Sequence, residues 1–85
     1  MKVVMEFEFN LYNACIYILH GTIQIFYNVN ATTYDYDYFR IPTGKKIEWL
    51  EINGKRVKID KEYITKVDKI KKIIIDNKQV KIITN

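Results

Sequence analysis

The chain predicts an all-β fold: a mainly antiparallel meander of seven or eight short strands, with at most one short helix near residues 60–70. Three observations carry this. Alternating apolar and polar residues recur along the chain, rich in isoleucine, valine and tyrosine, the types that suit a pleated surface. Turn formers such as His20-Gly21, Pro42-Thr43-Gly44 and Asn53-Gly54 separate those runs. One segment also occurs twice, at residues 46–59 (KIEWLEINGKRVKI) and 69–82 (KIKKIIIDNKQVKI), each an apolar run, a turn pair and a second apolar run. A small barrel, a curled sheet and a two-layer sandwich all fit.

Taken in order, residues 3–9 alternate. Val3, Met5, Phe7 and Phe9 share one side, and Val4, Glu6 and Glu8 share a wet one. Residues 10–13 read as a turn. Residues 14–19 form a second strand, His20-Gly21 a turn pair, and residues 22–29 a third strand with Ile23, Ile25 and Tyr27 on one face. In residues 34–41, Tyr34, Tyr36 and Tyr38 point one way, with Asp35 and Asp37 opposite. Aspartate is a poor strand former, so this is an edge strand or an extended loop.

In the first copy of the repeat, Asn53-Gly54 suits a type I′ turn. A two-residue loop there sets Glu51 opposite Arg56, Leu50 opposite Val57 and Trp49 opposite Lys58. In the second copy, a turn at Asp76-Asn77 would set Lys72 against Lys81, and facing ammonium groups repel. A longer loop over residues 76–79, with Ile75 opposite Val80, is preferred. Between the copies, residues 60–64 read as one helical turn followed by a strand from about Thr65. A helix over residues 61–71 is the rival, since Ile64, Val67 and Ile70 have helical spacing.

At 85 residues the chain is read as one domain, residues 1–85. A domain of this size buries only about 60–65% of its unfolded surface, so pairing through open sheet edges would add useful burial. The formal charge of +4 is uneven. Residues 1–44 hold two basic and four acidic residues, a balance of −2; residues 45–85 hold twelve and six, a balance of +6. An acidic, aromatic half and a basic hairpin half suggest two surfaces with different partners, or a head-to-tail self-contact. Isoleucine, lysine, asparagine and tyrosine all have AT-rich codons, so lysine abundance alone does not establish an anionic partner.

Enzyme signatures are missing: there is no G-x-S-x-G, P-loop or H-E-x-x-H, and there is one histidine, His20. No catalytic residue, metal site or cofactor is expected. Cys15 is the only cysteine, which suits a reducing, cytoplasmic setting. Glu6 and Glu8 interrupt any leader-like run. The uncharged stretch 9–34 contains Asn10, Asn13, Gln24, Asn28 and Asn30 and alternates like strands, so no membrane span is expected.

The leading expectation is a non-catalytic protein-binding protein, in size and composition like a phage or mobile-element accessory factor that inhibits a host protein by occluding it. Its candidate contact residues are Tyr34, Asp35, Tyr36, Asp37 and Tyr38, a rigid amphipathic ladder, and Trp49, a type enriched at binding hot spots. The plain reading is that the tyrosines complete the core and that Trp49 shields the sheet beneath Lys58. The alternative is nucleic-acid binding by Lys45, Lys46, Lys55, Arg56, Lys58, Lys71, Lys72, Lys78 and Lys81, which could track a phosphate backbone or simply form a solvated face. A further alternative is a structural subunit that self-assembles, as a homo-dimer or larger oligomer, through sheet edges.

Overall fold

One strand ties the whole sheet together. In the computed structural model, which describes residues 2–19, 21–29 and 36–85, β1 runs from Lys2–Leu19. The other strands are β2 Thr22–Asn28, β3 Asp37–Pro42, β4 Trp49–Ile52, β5 Lys55–Lys58, β6 Tyr63–Val67, β7 Ile70–Asp76 and β8 Gln79–Thr84. They form one sheet in the order β3-β2-β1-β7-β8-β4-β5, with β6 also on β1.

β1 has 18 residues. At about 3.3 Å per residue a straight strand would reach roughly 60 Å, yet the longest extent of the molecule is 34 Å. It therefore bends, at residues expected to form a turn. Between Glu6 and Leu11, β1 advances five residues while β7 moves only from Lys72 to Ile70. Between Tyr12 and Cys15 it gains a residue on β2. Such bulges bend a strand without ending it. Asn13 takes a φ of 52°, and its N–H donates to Asp68 Oδ1 at 3.0 Å. The buried side then switches from Leu11 to Ala14, Ile16 and Ile18. Phe9, expected with the apolar side, is 67% exposed on the bulge.

The bend divides the sheet into a five-stranded half (the first part of β1, then β7, β8, β4, β5) and a four-stranded half (β3, β2, the second part of β1, β6). Their inner faces share one core. Ile16, Ile18, Ile23 and Ile25 come from the four-stranded half, and Leu50, Ile73, Val80 and Ile82 from the other. Phe7 on one half and Phe39 on the other meet at 6.0 Å.

Among the described residues there is no helix, so the expected helical turn at 60–64 is absent. Residues 63–67 are strand because β1 offers an edge. Ile18 faces Tyr63 and Ala14 faces Val67, and β7 then continues the same register with Leu11 facing Ile70. Period-two burial wins over the helical spacing: Tyr63 and Val67 point in, while Ile64 is 63% exposed.

The first hairpin has the expected register, with Trp49 opposite Lys58, Leu50 opposite Val57 and Glu51 opposite Arg56. Asn53 and Gly54 take φ of 50° and 87°, as a type I′ turn requires. The Asn53 side chain also exchanges hydrogen bonds with Thr84. In the second hairpin Ile75 faces Val80, as preferred, but Asp76 pairs with Gln79, so the turn is only Asn77-Lys78. Relative to the first copy the turn has slid by one residue. The simple meander is also broken: β4 lies parallel to β8, so the two hairpins stand side by side.

Candidate functional site: the outer face of the four-stranded half

Register turns the outer face of this half into a grid. Tyr38 faces Phe26 and Arg40 faces Gln24. Phe26 faces Cys15 and Gln24 faces Tyr17. Cys15 faces Lys66 and Tyr17 faces Ile64. One row therefore reads Tyr38, Phe26, Cys15, Lys66, and the next Arg40, Gln24, Tyr17, Ile64. Strand alternation puts all eight on the side away from the core.

The rings on this face touch. Phe26 and Tyr38 lie 4.6 Å apart between centroids, tilted by 32°. Tyr17 meets Phe26 edge-on at 5.6 Å. The outer members stay open: Tyr38 is 48% exposed, Phe26 37% and Ile64 63%. Tyr36, just before β3, is 52% exposed. β3 is an end of the sheet, which agrees with the edge-strand expectation and with Pro42 in its last position. Asp37 lies on β3 opposite Tyr27. Burial, and then the Asp37 charge, push the Tyr27 hydroxyl above its usual pKa.

The expected tyrosine ladder is thus found at the surface where it is described. Tyr36 and Tyr38 are exposed and so is Asp37, which sets aside the reading that those two rings complete the core. Tyr34 and Asp35 lie outside the described residues, as does His20. Trp49 is on the other half, away from the tyrosines. Its ring is covered by Arg56 at 4.0 Å, closer than the expected Lys58 at 5.8 Å. The sequence reading passed over Tyr17, Phe26, Arg40, Ile64 and Lys66. The signal for Tyr17 and Phe26 was there: each alternates with buried isoleucines across a two-residue turn.

The basic residues do not form one stripe. Lys2 faces Asp76 and Glu6 faces Lys72. Lys81 faces Glu51, and Arg56 faces Glu51 from the other side. Lys78 pairs with Glu48 at 3.9 Å. Lys71 Nζ donates to the Glu8 carbonyl and Lys46 Nζ to that of Asp60. Lys45, Lys55 and Lys58 are exposed. An open cleft of about 420 Å³ lies over this face, lined by Lys2, Trp49, Ile74, Asp76, Gln79 and Lys81 among others.

Among the described residues no group of three or more His, Cys, Asp or Glu side chains converges, and no helix is long and apolar enough to cross a membrane. In comparison with known proteins, no family model matches the chain, and no curated protein and no solved structure matches it significantly.

Proposed function

We propose that the protein is a non-catalytic binding module that engages a partner protein through the outer face of its four-stranded half, acting by covering that partner's surface. The observation that carries this reading is the strip Tyr38–Phe26–Tyr17–Ile64, exposed at Tyr38, Phe26 and Ile64 and half-buried at Tyr17, which crosses four strands. Contiguous exposed apolar surface of this kind marks interaction sites. Rings that already brace one another lose little freedom on binding, which favours them as anchors.

Capture from nuclease-treated extract of the source cells, read by quantitative mass spectrometry, tests it. The Phe26→Ser/Tyr38→Ser variant should lose a partner that the native chain and Trp49→Ala both retain. Truncating anchor side chains at an interface commonly weakens binding by about 2–4 kcal/mol. Both rings are partly exposed, so the thermal transition should stay near the native one. Retention of the partner by the double variant rejects the proposal.

A second reading rests on the other face. The Arg56 guanidinium over Trp49 beside Lys81 and Lys2 resembles a stacking site for a nucleic-acid strand. Such a strand would compete with Glu51 and Asp76 for those cations. The reading requires salt-sensitive binding of labelled single-stranded DNA or RNA that falls in Trp49→Ala.

A further inference from the structure

The strip is bordered by two cations. Arg40 stands on β3 beside Gln24, and Lys66 on β6 beside Cys15. Both are exposed, and among the described residues neither makes an ion pair. No carboxylate occupies the paired rows of this face. Glu62 and Asp68 lie beyond the two ends of β6, and Asp68 is engaged by the Asn13 N–H. The opposite half differs, since its register seats an acid beside Lys2, Lys72, Lys81 and Arg56.

We propose that the partner surface is acidic: apolar side chains that pack on Phe26 and Tyr17, bracketed by carboxylates that reach Arg40 and Lys66. This rests on the protein-binding reading above and adds the chemistry of the partner. The two cations are three strand spacings apart, roughly 15 Å at about 4.8 Å each. An extended segment laid across the strands covers that span in four or five residues at about 3.3 Å each. The fitting motif is therefore an aspartate or glutamate at each end of a short apolar run. A second copy packed face to face fits poorly, because the same face brings two cations and no carboxylate to the contact. A nucleic-acid strand supplies anions, but Phe26 and Tyr38 lean on each other and the strip ends in an aliphatic residue, Ile64. Packing of apolar side chains suits that surface better than stacking of bases.

The test selects random displayed peptides of about a dozen residues on the full chain, with counter-selection on Phe26→Ser/Tyr38→Ser. That length comfortably exceeds the predicted span. The expected winners carry an aromatic or aliphatic run bracketed by acids. A synthetic winner should bind Arg40→Glu/Lys66→Glu about tenfold or more weakly by fluorescence anisotropy, and the same peptide with lysine in place of its acids should prefer that variant. Winners that need Phe26 and Tyr38, lack acids and ignore the charge reversal overturn the acidic partner while leaving the binding face standing. If no winner depends on Phe26 and Tyr38, both readings fall. Two further outcomes replace the partner: salt-sensitive binding of oligodeoxythymidylate lost in Phe26→Ser/Tyr38→Ser assigns the face to a single strand, and self-association lost in that variant, seen by light scattering, assigns it to a second copy.

Discussion

The two outer faces of this sheet are built on opposite plans. On the five-stranded half, basic and acidic side chains alternate across the strands: Lys2 with Asp76, Lys72 with Glu6, and Glu51 with both Lys81 and Arg56. On the four-stranded half the outward rows hold rings, aliphatics, polar neutral side chains and two cations, with no acid, while Asp37 falls on the alternate row opposite Tyr27. Net charge along the chain suggests the reverse, an acidic first half and a basic second one. The difference arises because β1 runs through both halves. It carries Glu6 out of the aromatic half and into the basic hairpins, where it faces Lys72. Sheet register, more than stretches of sequence, sets the electrostatics of a β surface.

The largest expected effects test whether the two halves stand or fall together. Ile16 is fully buried on one inner face and Ile73 on the other. Ile16→Ala and Ile73→Ala should each cost about 2–5 kcal/mol. Since the core is shared, each should lower one common transition seen both by circular dichroism and by Trp49 fluorescence. A Trp49 signal that melts as in the native chain while Ile16→Ala loosens the rest would mean two independent units. Next comes the corner between them. Asn13→Val places a β-branched residue at a φ of 52° and should cost roughly 1–2 kcal/mol, measured as a fall in the urea midpoint. A neutral result would show that the bend does not depend on that conformation.

Smaller effects separate the two faces. Glu51→Lys sets three cations in register and should lose up to about 1 kcal/mol, less at high salt. Thr22→Lys on the other face, between Pro42 and Leu19, should stay within about 0.5 kcal/mol. Equal losses would erase the contrast. The smallest effect concerns pH. Burial and the Asp37 charge push the Tyr27 hydroxyl above its ordinary value of 10.0 in the folded protein, so folding favours the neutral phenol. That contribution is intact below pH 10 and is lost as pH rises beyond it. Asp37→Asn removes the secondary cause and should move the Tyr27 titration, followed by ultraviolet absorbance, slightly back down. No movement would mean that burial acts alone.

What the sequence made legible was local. Asn53-Gly54 dictates a turn with its own two residues, and the pairing from Glu51 and Arg56 to Trp49 and Lys58 follows by counting. Alternation likewise marked Tyr36 and Tyr38 as a set. The bend in β1 was hidden because Asn10 and Asn13 carry the same polar signal in a bulge as in a turn. Pairing with β7 and β2, together with the Asp68 carboxylate that accepts from the Asn13 N–H, reveals which it is. Strand β6 depends in the same way on an edge supplied by β1, and the parallel contact of β4 with β8 has no local signature. The proposed face was half legible. Tyr38 was singled out, but Phe26 and Tyr17 join it only once three strands are laid in register.

The most direct measurement is hydrogen–deuterium exchange with and without a bound acidic peptide or captured partner. Side-chain docking on the four-stranded half should slow exchange in β2, β3, β6 and the second part of β1, and leave β4, β5 and β8 unchanged. Protection centred on β4, β5 and β8, around Trp49, would contradict the assignment and move the working surface to the charged half.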